Sequence, residues 1–153
     1  MAVTRANIEA IIIKRIGKWL TAAGLDGTTN NGTNSDLNDP IARGVRTLGY
    51  SVADVLNVSS SDIAAIEEAD YDELFDVAEL RALQSCLTNY DKVNLSLGPR
   101  SESFDQLRNA MVQAIKLKRE QIAADYPHDE DARALVGGVL TLDFQQHDES
   151  EFA

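Results

Sequence analysis

From Leu74 to Tyr126 apolar side chains return every third or fourth residue, and one stretch, Leu97-Gly98-Pro99-Arg100, breaks the rhythm. Leu74, Val77, Leu80, Leu83, Leu87 and Tyr90 form a first stripe; Phe104, Leu107, Met111, Ile115, Ile122 and Tyr126 form a second. A half-buried strand would bury alternate residues, so this spacing commits the segment to helix. The first predicted helix opens at Asp70 or Asp72 and reaches about Tyr90. The second begins near Ser101–Ser103, where Ser103 and Gln106 have the spacing of a capping box. A connection this short, carrying Pro, predicts two long antiparallel helices.

Upstream, Ile8, Ile12, Ile16, Trp19 and Ala23 share a helical face between the N-cap candidate Thr4 and Gly24, which stands where a helix stops. Trp19 is expected to be a main anchor of the bundle, worth about 3–5 kcal/mol. The Gly-, Asn- and Thr-rich segment 25–37 has too little apolar surface to order itself and reads as a mobile loop. Asp39-Pro40 then predicts a capped short helix through Ile41, Val45 and Leu48, closed by Gly49. Residues 50–61 read as short turns, and Ser61 or Asp62 starts a brief helical turn ending at Ile66.

Pro127 ends the helical pattern. After Gly137-Gly138, the residues Val139, Leu140, Leu142 and Phe144 lie in a short run where Leu140, Leu142 and Phe144 share one side of an extended strand. Three readings stay open for it: a disordered C-terminus, a strand folded back onto its own domain, or an arm whose unpaired backbone groups dock on another chain. The expected fold class is therefore mainly α: a small helical bundle with two long antiparallel helices and an extended C-terminal arm. Residues 1–126 form the body, with the mobile loop at 25–37, and residues 127–153 the acidic arm.

Charge is segregated along the chain. Residues 51–80 carry nine acids and no Lys or Arg; residues 127–153 carry seven acids against Arg133 alone. These two stretches outweigh a mildly basic remainder and set the net charge of −11. Such acidity argues against sequence-independent duplex binding, which needs Lys and Arg to displace counterions. Cys86, the single cysteine, rules out an intramolecular disulfide. The run Ala10–Ile13, cut by Lys14 and Arg15, is too short for a signal peptide, and no stretch has the roughly 18 apolar residues of a membrane span. The expected partners therefore exclude a membrane.

No residue grouping points to catalysis. Asp70-x-Asp72 begins like a calcium loop, but Phe75 stands where that loop needs Gly and Arg81 where it needs Glu. His128 and His147 lack metal-ligand spacing, and Cys86 between Leu83 and Leu87 reads as a small core residue. The first helix, with Lys14, Arg15 and Lys18, reads as a core helix more readily than as a membrane-surface helix. Neither an enzyme, a metal nor a cofactor is expected.

The segment 77–126, VAELRALQSCLTNYDKVNLSLGPRSESFDQLRNAMVQAIKLKREQIAADY, resembles the paired long helices of head–tail connector (neck adaptor) proteins of tailed bacteriophages. The short helix from Asp39 to Leu48 and the C-terminal arm fit the same outline. The resemblance rests on element order, length and acidity and covers most of the chain. It implies a structural virion protein, assembled in the host cytoplasm, that forms a ring on the portal, expected at twelve copies, and meets a further neck or tail-completion protein. DNA would pass through without specific binding. Asp70, Asp72, Glu73 and Asp76 are then the candidate channel-lining acids, since carboxylates repel phosphate. Val139, Leu140, Leu142 and Phe144 are the candidate subunit or portal interface. The competing expectation is an acidic regulatory module that binds a basic protein through residues 51–80.

Overall fold

The computed structural model describes residues 3–97 and 102–127. It is mainly helical, with five α-helices: α1 (Arg5–Ala22), α2 (Asn38–Thr47), α3 (Ser60–Ala64), α4 (Tyr71–Leu97) and α5 (Glu102–Asp125). Single 3-10 turns at Ser35–Leu37 and Glu68–Asp70 lead into α2 and α4. Among the described residues there is no strand. Val139, Leu140, Leu142 and Phe144, with the rest of the expected arm beyond Pro127, lie outside the described residues.

Local chemistry accounts for most of the helix ends. Thr4 caps α1 in a reciprocal box with Asn7. Its C-terminus closes as a Schellman motif: the Leu25 N–H donates to the Leu20 carbonyl and the Gly24 N–H to Thr21, with Gly24 at φ +77°. Gly49 closes α2 identically, through Tyr50 to Val45 and Gly49 to Arg46. Ser59 and Asp62 form a second box that starts α3 one to two residues earlier than expected.

Two predicted boundaries need correction. Asp39 does not cap α2: the helix begins at Asn38, led in by the turn that Asn34 caps, and the Asp39 carboxylate instead pairs with Arg81 at 2.7 Å. α4 continues to Leu97 instead of ending near Tyr90. Nothing before Gly98-Pro99 interrupts its backbone bonds, and helix propagates past the end of a buried stripe until a breaker stops it.

α4 is the central element, with α1, α2 and α5 packed around it. Ile8, Ile12 and Leu20 of α1, Ile41 and Val45 of α2, Leu74 and Ala78 of α4 and Met111 of α5 are completely or almost completely buried. Each Leu or Ile so buried contributes about 1.5–3 kcal/mol. α2 lies closest to α4: a Cβ on Gly44 would sit 2.7 Å from Leu74 Cδ1 and 3.0 Å from the Leu74 carbonyl. Trp19 is only half-buried against the core. Leu20, its neighbour in the chain, is fully buried instead.

Candidate functional site

Two groups of charged side chains lie inside the bundle. The first is centred on α1. Glu9 is 0% exposed and Arg5 3%, and the Arg5 Nε donates to Glu9 Oε1 at 2.9 Å. The remaining bonds of the pair go mostly to loop backbone. Glu9 accepts from the Asn34 N–H at 3.0 Å and the Gly32 N–H at 2.7 Å. Arg5 donates to the carbonyls of Asn34 and Val58 and to the Asn38 side chain. A buried ion pair is tolerable only when its remaining donors and acceptors are satisfied, and this one is satisfied by three separate segments.

This pair bears directly on residues 25–37. The segment was expected to be mobile for want of apolar surface, but polar tethers fasten it to α1. Besides the two bonds to Glu9, the buried Asn34 side chain donates to the Asp26 and Thr29 carbonyls. Gly17 and Gly27 let the two backbones touch: a Cβ on Gly17 would lie 2.9 Å from the Gly27 carbonyl oxygen, and one on Gly27 would overlap the Gly17 carbonyl.

The second group joins three helices. Asp76 of α4 accepts from Arg15 of α1 at 3.1 Å and from Lys118 of α5 at 2.7 Å on one oxygen, and from the Tyr126 hydroxyl at 3.0 Å on the other. Glu79 Oε2 is shared by Arg15 at 2.9 Å and Lys118 at 3.0 Å. Two cations thus balance two carboxylates. Burial, reinforced by the Asp76 carboxylate, pushes the Tyr126 phenol well above its ordinary range.

The four acids expected to line a channel consequently part company. Asp76 is buried in ion pairs, and its carboxylate faces the interior of this chain. Glu73 is buried as well. Asp70 is half-buried and accepts from the Tyr50 hydroxyl at 2.9 Å. Asp72 remains exposed, as do Glu67, Glu68 and Asp54. The spacing of acids along α4 alone could not separate these, because Asp76 and Glu79 occupy the flank that faces α1 and α5.

Cys86 is completely buried, and desolvation pushes its thiol up to about 12, which leaves it protonated at neutral pH. Among the described residues no group of three or more His, Cys, Asp or Glu could hold a metal ion. No described helix is long and apolar enough to cross a membrane. Among the described residues the exposed large apolar side chains are Leu56, Val112 and Leu117, 83%, 38% and 63% accessible. Comparison with protein-family models, with curated proteins and with solved structures gives no match.

Proposed function

We propose that the chain is a structural virion protein, a head–tail connector that forms a ring on a portal and continues its DNA channel. The observation that carries this reading is the α4–α5 pair. Its polar contacts run from Asp91–Arg108 to Asp76–Tyr126, the order of two long antiparallel helices. α1 is tied to the pair through Arg15, which meets Asp76 at 3.1 Å. The acids available to a channel are Asp72 with Glu67 and Glu68, at the end where α4 begins. Carboxylates there would repel DNA phosphates and avoid the salt-dependent retention of a basic lining. Residues 137–153 supply the arm: Leu140, Leu142 and Phe144 lie against a neighbouring copy or the portal.

Mass measurement of the purified chain, alone and with a portal ring, tests the proposal. A ring or a portal-dependent assembly is expected. A strict monomer indifferent to the portal would overturn it and favour an acidic module that binds a basic protein. Deleting residues 137–153 should keep the helical circular-dichroism signal and abolish assembly. Glu67→Lys, Glu68→Lys and Asp72→Lys together should make assembled rings retain DNA in a salt-sensitive way.

A further inference from the structure

The three bases of α1 have separate fates. Arg15 turns inward to Asp76 and Glu79, whereas Lys14 and Lys18 are exposed and make no ion pair among the described residues. At about 100° per residue, Ile11, Lys18 and Lys14 follow one another around α1 on the outer side of Arg15. Ile11 is half-buried there, and the one acid of α1, Glu9, is fully buried. Nothing acidic on the helix therefore offsets these lysines.

The last described residues reach the Arg15 side of α1. The Tyr126 hydroxyl donates to Asp76, whose other oxygen accepts from Arg15. Asp129, Glu130 and Asp131 follow within three to five residues of Tyr126. That length of chain spans roughly 10–18 Å when extended. Residues 128–153 hold seven acids and one base, so the sign is complementary.

We propose that Lys14 and Lys18, with Ile11 beside Lys18, form a docking flank for the acidic segment that begins at Asp129 of the same chain. The short tether gives that segment an effective concentration in the millimolar range, which favours it over the same segment of another copy. Docking sets the direction in which residues 137–153 leave the body, and it stands whether or not the chain forms a ring.

Paired cysteines test the docking in the full chain, where Cys86 is buried. Lys18→Cys with Glu130→Cys should oxidise to an intrachain disulfide at least about fivefold faster than the reference pair Arg43→Cys with Glu130→Cys, Arg43 being exposed on α2. Equal rates, or a disulfide between chains, would overturn docking on the chain's own flank. As a second measurement, Lys14→Glu with Lys18→Glu should speed trypsin cleavage after Arg133 about fivefold at low salt. The difference should vanish near 1 M salt, where the screening length is about 3 Å. Cleavage at the parent rate at low salt would sink the proposal.

Discussion

Glu9 and Asp76 are both buried carboxylates with a basic partner, yet they fasten different things. Glu9 holds backbone: it and Arg5 collect N–H groups and carbonyls from residues 32, 34 and 58, so one side-chain pair positions loops that have no secondary structure of their own. Asp76 holds side chains: Arg15, Lys118 and Tyr126 each bring a helix, or its end, to the same carboxylate. The first arrangement has no substitute for either member. The second is redundant, because Glu79 offers both cations another oxygen. Fully buried charge paired to backbone is brittle; partly solvated charge shared among helices is tolerant.

That contrast can be broken most directly at Glu9. Glu9→Ala leaves Arg5 buried without its counter-ion and orphans two loop N–H groups, so about 3–5 kcal/mol of stability should be lost in denaturant unfolding. The double variant Arg5→Met with Glu9→Leu should not recover it, since apolar side chains cannot accept from the Gly32 and Asn34 N–H groups. Recovery would show that the loop backbone does not depend on the pair. Gly44→Ala comes next, at about 1–3 kcal/mol, because its Cβ presses on Leu74 where α2 meets α4.

Lys118→Met should cost about 1–2 kcal/mol, less than Glu9→Ala, because Arg15 still serves both carboxylates. Hydrogen exchange should quicken along 111–122 and stay unchanged over 25–37; a change in both would join the two groups into one. Tyr126→Phe should cost about 0.5–1.5 kcal/mol. The raised Tyr126 value means that the hydroxyl's contribution is complete below the ordinary tyrosine value of 10.0 and fades as pH rises through the folded value. The parent should therefore lose stability more steeply than Tyr126→Phe above about pH 10. The smallest effect belongs to Asp62. The Ser59 N–H, with the Ser59 hydroxyl, holds its carboxyl below 3.8, so the α3 cap is intact above that pH and weakens as pH falls. Asp62→Asn should flatten that acid limb in a pH series of melting curves.

The helices were legible because their causes are local. Leu74, Val77, Leu80 and Leu83 announce α4 by spacing alone, and Thr4, Gly24 and Gly49 act where they stand. Trp19 was not legible in this way: its size suggests an anchor, yet it is half-buried while Leu20 beside it is fully buried. The acids of α4 were harder. Asp72 and Asp76 look alike in a sequence, yet Asp72 is exposed whereas Asp76 meets Arg15 and Lys118. The one local mark of Glu9's burial is its place four residues after Arg5 and among isoleucines.

The amino-acid order by itself determined where helices form, where most of them stop, and that acid is concentrated at 51–80 and beyond 127. Those outcomes depend on bonds spanning a few residues. Tertiary structure alone decided which charges are spent inside the fold and which remain on the surface, and that a Gly- and Asn-rich segment is pinned to α1. Burial of a charge depends on groups 20 to 60 residues away that must converge on it, and a one-dimensional pattern carries no information about that convergence.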